Sequence, residues 1–179
     1  MNFCSHCGSD QLLRTIPEGD NRMRIVCEPC GYIHYQNPRI IVGALVVYQH
    51  QVLLCKRAIE PRQHLWNLPA GFMENHETAE EGAAREVEEE ALAHIRIRKL
   101  HCVFSVPSVN QVYLIYLADL PDPSYGITPE SSEVKLFDVA DIPWDTIAFT
   151  STAFALEQYI RQPDFSGVHL GTDEIRFTP

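Results

Sequence analysis

With 179 residues, 45% of them apolar, the chain has material for a core of medium size. Its formal charge of -10, with Arg14, Arg22, Arg24 and Arg39 scattered among Glu18, Asp20 and Glu28, shows no basic patch of the kind that neutralises phosphates and argues against a nucleic-acid binder. No apolar run approaches a membrane span and there are no repeats or low-complexity tracts, so neither a membrane nor a nucleic acid is the expected partner.

The chain opens on Cys4-x2-Cys7 and Cys27-x2-Cys30, each pair followed by a glycine, Gly8 and Gly31. Two such pairs are the usual arrangement for zinc held tetrahedrally by four thiolates. A glycine after the second cysteine suits a tight turn whose amides face sulfur. A disulfide framework or free thiols are the alternatives. Cys55 and Cys102, however, sit in apolar, strand-like runs as small hydrophobes, so the six cysteines do not pair into a secreted scaffold. Met1-Asn2-Phe3 runs straight into the first knuckle with no signal peptide, and the expected compartment is a reducing cytoplasm. His6 lies between two better ligands and is read as a bystander. A four-thiolate site leaves no open position for water, so the zinc is expected to be structural. A ribbon over residues 1–36 is too small to fold on its core alone. Its expected role is to pack on the domain that follows or to support a dimer.

Next come strands. Ile40 to Tyr48, IIVGALVVY, reads as a buried strand, with Gly43 a bulge or a point of close approach. Val52 to Arg57 returns after a turn, and Trp66-Asn67-Leu68 is a short strand entering Pro69-Ala70-Gly71, which breaks regular structure.

A helix follows, opened by the capping box Thr78-x-x-Glu81. Ala79, Ala83, Val87 and Ala91 make an i, i+4 stripe that can pack inward. Glu86, Glu89 and Glu90 crowd one face at the edge of that stripe, where like charges cost about 0.2–0.5 kcal/mol per pair and the macrodipole disfavours anions. Such a run on its own is an ordinary solvated face. With Gly82 leaving room on the glutamate side and a loop just before it, the repulsion becomes a site for a hard divalent cation. A carbonyl of the Pro69-Ala70-Gly71 loop can turn towards the same ion.

Beyond the helix, His94 to Phe104 and Gln111 to Leu117 read as an antiparallel pair, Pro121 to Pro129 as a loop, and Lys135 to Val139 as a short strand. Ser151 to Arg161 reads as an amphipathic helix capped by Ser151, and after Pro163 the chain becomes a polar tail. Periodicity alone supports a mixed α/β class.

From Gly71 to Ala93 the sequence resembles the Nudix box, G-x5-E-x7-R-E-U-x-E-E-x-G-U with U aliphatic: Gly71, Glu77, Arg85, Glu86, Val87, Glu89 and Glu90 match at the required intervals. One departure is Leu92 where the pattern has glycine, followed by Ala93. The resemblance implies a mixed-sheet α/β/α sandwich, preceded by the small zinc ribbon, with the hydrolase domain over 37–165 and a tail over 166–179. It also implies Mg²⁺- or Mn²⁺-dependent hydrolysis of a nucleoside diphosphate derivative. Glu86 and Glu90 are then the metal ligands, Glu89 a third ligand or the water-activating base, and the Ala70 carbonyl part of the metal shell. Gly71, Glu77 and Arg85 are structural, the last two as an ion pair setting the loop against the helix.

Outside the box, YIHYQNPRIIVGALV, VLLCKRAIEPR, LWNLPAGFMEN, NQVYLIYLADL and LFDVADIPWDTIAF resemble the plant-type FAD and ADP-ribose diphosphatases and their bacterial relatives. The implied reactions take FAD to FMN and AMP, or ADP-ribose to AMP and ribose 5-phosphate. The NADH diphosphatases carry a similar ribbon and box, but their S-Q-P-W-P-F-P-x-S segment reads FSVPSVNQ here. A loop glutamate ahead of the Lys135 strand is implied as a further ligand, Glu130 before Glu133. Arg57 and Arg62 are candidates for the diphosphate, and Gln111, Tyr113 and Phe72 for the base or flavin. A homodimer fits the resemblance. A non-catalytic nucleotide-sensing domain and a nucleic-acid-binding ribbon are the competing classes.

Overall fold

The structure, a computed structural model, describes residues 1–173; residues 174–179, the end of the expected tail, lie outside the described residues. The chain divides into two compact units, one ending at Asn37 and one beginning at Pro38.

The first unit is a three-stranded antiparallel sheet of β1 (Leu12–Thr15), β2 (Arg24–Cys27) and β3 (Ile33–His34). Both cysteine pairs lie in tight turns. Gly8 and Gly31 take positive φ of 78° and 70°, and their amides close the turns by donating to the carbonyls of Cys4 and Cys27 at 2.9 and 2.8 Å. A side chain would be strained at either position.

The second unit is built on β4 (Arg39–Tyr48), β5 (Gln51–Arg57), β6 (Trp66–Asn67), β7 (Ala70–Phe72), α1 (Ala79–Ala91), β8 (Arg96–Val106), β9 (Gln111–Asp119), β10 (Ser131–Asp138), α2 (Thr150–Arg161) and β11 (His169–Thr172). The strands form one mixed sheet in the order β10-β5-β4-β9-β8-β11, with β6 added to β5 and β7 to β4. β4 is central and parallel to β9, paired from Arg39 with Gln111 to Val47 with Asp119.

The continuous apolar run of β4 follows from its burial on both faces. Ala44 and Val46 join Leu53, Cys55, Val87 and Ala91 under α1. Leu45 and Val47 join Trp66, Leu68, Ala155 and Leu156 under α2. The α/β/α sandwich implied by the box is therefore the observed architecture. Ala83, Val87 and Ala91 of the expected stripe are fully buried.

Gly43 is a point of close approach. A Cβ there would stand 2.4 Å from the Ala70 Cβ and 2.5 Å from the Pro69 carbonyl oxygen. Its absence lets β7 lie hard against β4 and carries the loop before α1 to the mouth of the sheet.

Three local readings are corrected. β10 begins at Ser131, not Lys135, so Glu133 is a strand residue, ion-paired to Lys56 at 3.4 Å. Pairing with β5 extends the strand through SSEV, where the sequence has no apolar alternation of its own. α2 begins at Thr150 with Phe149 at the N-cap and no side-chain cap; Ser151 is buried in the first turn. The entry of that helix is fixed instead by the Ala148 amide donating to the Trp66 carbonyl at 2.8 Å. The segment expected as a tail contains β11, whose HLGT sequence is legible only through its parallel pairing with Cys102–Ser105 of β8. Among the described residues no helix is long and apolar enough to cross a membrane.

Candidate active site and metal centre

In the ribbon, the sulfurs of Cys4, Cys7, Cys27 and Cys30 all lie within 4.8 Å of one another. Cys4 is 3.8 Å from Cys30 and Cys7 3.6 Å from Cys27. A tetrahedral zinc with arms of about 2.3 Å has edges of about 3.8 Å. The four residues therefore fit Zn²⁺. Burial opposes ionisation of Cys4, yet the Cys7 and His6 amides and the His34 side chain outweigh it and bring the thiol down to about 6. Burial, helped by hydrogen bonding with the side chains of Cys30, Cys7 and Cys4, pushes Cys27 up to about 12. His6 stacks on Tyr32, ring centres 5.2 Å apart, and stands outside the cluster.

In the second unit, the capping box sets the start of α1. The Thr78 hydroxyl accepts from the Glu81 amide at 3.2 Å, and the Glu81 carboxylate accepts from the Thr78 amide at 2.8 Å. Two turns later Glu86 and Glu90, each 8% exposed, face β7. A Cβ on Gly71 would stand 2.3 Å from Glu86 Oε2, so only glycine admits that carboxylate against the strand. The Ala70 amide donates to Glu90 Oε1 at 3.4 Å.

Burial raises both acids. It carries Glu90 up to about 8, against the Ala70 amide and Arg57 and with the charges of Glu86 and Glu130. Glu86 is raised by burial too, although Arg85 pulls the other way. Hard carboxylate oxygens, desolvated and repelling one another, fit a hard divalent cation.

Arg85 reaches further than one partner. Its guanidinium donates to Glu77 at 2.8 and 3.0 Å, to Glu86 at 2.7 Å, to the half-exposed Glu89 at 3.0 Å and to the Phe72 carbonyl at 3.2 Å. Gly82 serves the same tie: a Cβ there would stand 2.6 Å from Glu77 Oε1 and 2.8 Å from Val42 Cγ2. The room on the glutamate side is taken by the loop carboxylate.

A cavity of about 470 Å³ opens over this edge of α1 and brings together Glu86, Glu89, Glu90, Glu130, Arg57 and Ala70. Gln111, Tyr113 and Phe72 line it as well. Register explains the flat wall: Phe72 of β7, Ile41 of β4 and Tyr113 of β9 stand side by side in one row. The Tyr113 hydroxyl donates to Gln111 Oε1 at 3.2 Å. Arg57 Nε donates to the Pro61 carbonyl at 2.8 Å, and its guanidinium lies 5.4 Å from the centre of the Phe149 ring. Glu130 is placed by its own carbonyl, which accepts from the Ala58 amide at 2.8 Å.

Arg62 and Glu133 do not line the cavity. Asn67 and Phe149 do, and sequence reasoning missed both. A polar residue inside the buried run WNLP was the one readable signal for Asn67. Phe149 carried none.

The family model described as the NUDIX domain matches residues 37–156, and the zinc-ribbon model described as Nudix N-terminal matches residues 2–36. The crystal structure of a NUDIX hydrolase from Nitrosomonas europaea is similar over 97% of this chain and 99% of that chain, with 46% identity and a TM-score of 0.91. An ADP-ribose pyrophosphatase from Methanocaldococcus jannaschii is 27% identical over 116 residues, 63% of this chain and 69% of that protein. The NAD-capped RNA hydrolase NudC of Photobacterium profundum is 32% identical over 141 residues, 75% of this chain but 48% of its own length. The chain thus spans about half the length of the NudC relatives it matches.

Proposed function

The chain belongs to the Nudix family, a hydrolase domain with the family's N-terminal zinc ribbon, and we propose that it cleaves the diphosphate linkage of ADP-ribose or FAD with release of AMP. The observation that carries this reading is the convergence of Glu86, Glu90, Glu130 and Arg57 on one cavity with a flat aromatic wall. Carboxylates and an arginine suit a diphosphate and its counter-ions. A row of Phe72, Ile41 and Tyr113 suits a planar ring.

In this reading Glu86, Glu90, Glu130 and the Ala70 carbonyl hold Mg²⁺ or Mn²⁺, and Cys4, Cys7, Cys27 and Cys30 hold a structural zinc. The catalytic cation, when bound, neutralises phosphate charge and lowers the pKa of a water. Glu89 stands as a further ligand or as the base that takes a proton from the attacking water. Arg57, braced by the Pro61 carbonyl and Phe149, orients the diphosphate for in-line attack. Gln111 and Tyr113 support the ring. Gly71, Glu77 and Arg85 keep the loop on the helix. The ribbon takes residues 1–36 and the hydrolase domain 37–165, in a protein that needs reduced thiols, as in a cytoplasm.

The preference for ADP-ribose or FAD rests on the segments that resemble the plant-type branch and on the ADP-ribose pyrophosphatase among the relatives. A second reading, hydrolysis of NADH or of an NAD cap, is favoured by the NudC relatives. Against it stands FSVPSVNQ, which lacks the aromatics of the NADH diphosphatases. A panel of ADP-ribose, FAD, NADH and 8-oxo-dGTP, each with Mg²⁺ and with Mn²⁺, separates these readings by product. AMP from ADP-ribose or FAD is expected. Turnover of NADH or 8-oxo-dGTP alone, or silence across the panel, overturns the proposal.

A further inference from the structure

Asn67 is a polar side chain only 5% exposed, at the one place where β6 borders the catalytic cavity. Its Oδ1 accepts a hydrogen bond from the hydroxyl of Thr152, itself 4% exposed in the first turn of α2. With the oxygen held from the α2 side, the amide's other edge, Nδ2, is the one left for the cavity. Nδ2 has no protein partner among the described residues and is not one of the fully buried unpaired atoms, so it is open to the cavity and free to donate to a group that enters.

Position says what that is. Asn67 lies opposite Cys55 in the β5–β6 pair, so the two share a face of the sheet. Arg57, two residues along β5, shares it as well. Asn67 and Arg57 are thus diagonal neighbours on one face, a separation of about 7–8 Å between backbones that side chains bridge. Both line the cavity. We propose that the Asn67 amide donates to a non-bridging phosphoryl oxygen, forming with Arg57 a two-pronged grip on the substrate's diphosphate, with Thr152 as the residue that positions the amide. This rests on the diphosphate reading of the cavity.

An uncharged donor suits the surroundings. Six glutamates and two arginines line the cavity, and Arg85 is already engaged by two of those glutamates, Glu86 and Glu89, and by Glu77 of the loop. A second cation near Glu90 would pair with the carboxylates and compete with the metal; a carboxylate there would repel the phosphates. An amide does neither.

The test is calorimetric binding, with Mg²⁺, of the α,β-methylene analogue of ADP-ribose and of bare methylenediphosphonate. Asn67→Ala is expected to weaken both ligands by a similar factor of about ten, as loss of a hydrogen bond to a charged group implies. Asn67→Asp is expected to weaken them further, and Thr152→Val by about threefold, while Mn²⁺ binding without ligand stays within about twofold in each variant. Unchanged affinity in Asn67→Ala overturns the proposal. So does a loss confined to the nucleotide analogue, which would put Asn67 on the ring, or an equal loss of Mn²⁺ affinity. Should Asn67→Ala fail to fold, Thr152→Val leaves the amide present but unheld, and wild-type affinity there is contrary evidence. A wild-type protein that binds neither ligand removes the diphosphate reading itself, whereas wild-type binding with unaltered variants removes only the grip.

Discussion

Glu90 is where burial and charge conflict most sharply. With the cation stripped away its carboxyl is raised from 4.5 to about 8 by burial first, then by Glu86 and Glu130. A group whose folded pKa lies above its unfolded one keeps, in the native state, a proton that the unfolded chain has released. The contribution of Glu90 to the stability of the metal-free protein therefore falls as pH climbs from about 4.5 towards about 8, at up to about 1.4 kcal/mol per pH unit, and levels off above that window. His101 and His169 act oppositely, since burial lowers both and favours their neutral forms as pH rises. The difference between wild type and Glu90→Gln isolates the carboxylate. Denaturant midpoints in EDTA from pH 5 to 8 should decline for wild type relative to the variant; parallel curves would contradict the burial. Such a group was legible from sequence as one of three glutamates on a face, because box spacing is local. Its depth was not, because that depends on β7 and on the missing side chain at Gly71.

At the scale of elements, α1 ends in an unusual way. Leu92, where the box pattern has glycine, is the C-cap in the left-handed region at φ 51°, ψ 33°. Its side chain is 58% exposed, so little burial compensates the strain. Leu92→Gly would relieve about 1–2 kcal/mol of left-handed strain but would lose the partial burial and add freedom to the unfolded chain. The net change should stay within about 0.5 kcal/mol. Leu92→Val keeps an apolar side chain but puts a β-branch in a conformation it avoids, and should cost about 1–2 kcal/mol. Thermal unfolding of the two variants decides this, and a harmless valine would show that the cap relaxes. The capping box and inward stripe of α1 were readable because their interactions span at most four residues. β11 and the start of β10 were not, because each is held by strands far away in sequence, β8 and β5. The α2 entry was misread for the same reason: Ser151 has the chemistry of a cap, but the Trp66 carbonyl anchors Ala148 and moves the start to Thr150.

At the scale of the molecule, the sheet does the gathering. Arg57, Asn67, Ala70, Glu86, Glu90, Tyr113 and Glu130 come from six elements or their loops and meet at one cavity because β4 sits between β5, β7 and β9. That assembly explains why the box was legible while Asn67 and Phe149 were not: the box is a contiguous pattern, whereas Asn67 reaches the cavity through its pairing with β5 and Phe149 through the placement of the α2 N-terminus. Under the proposed function it also gives an acidic chain a way to handle an anionic substrate, with the carboxylates of the cavity serving as cation ligands rather than as a repelling surface. Turnover on that reading requires those acids to act together. The most direct test of that requirement is the rate of product release by Glu90→Gln, at saturating Mg²⁺, on whichever diphosphate the wild-type enzyme hydrolyses. A folded variant with no turnover above background is the expected result. A folded variant working at the wild-type rate would contradict it.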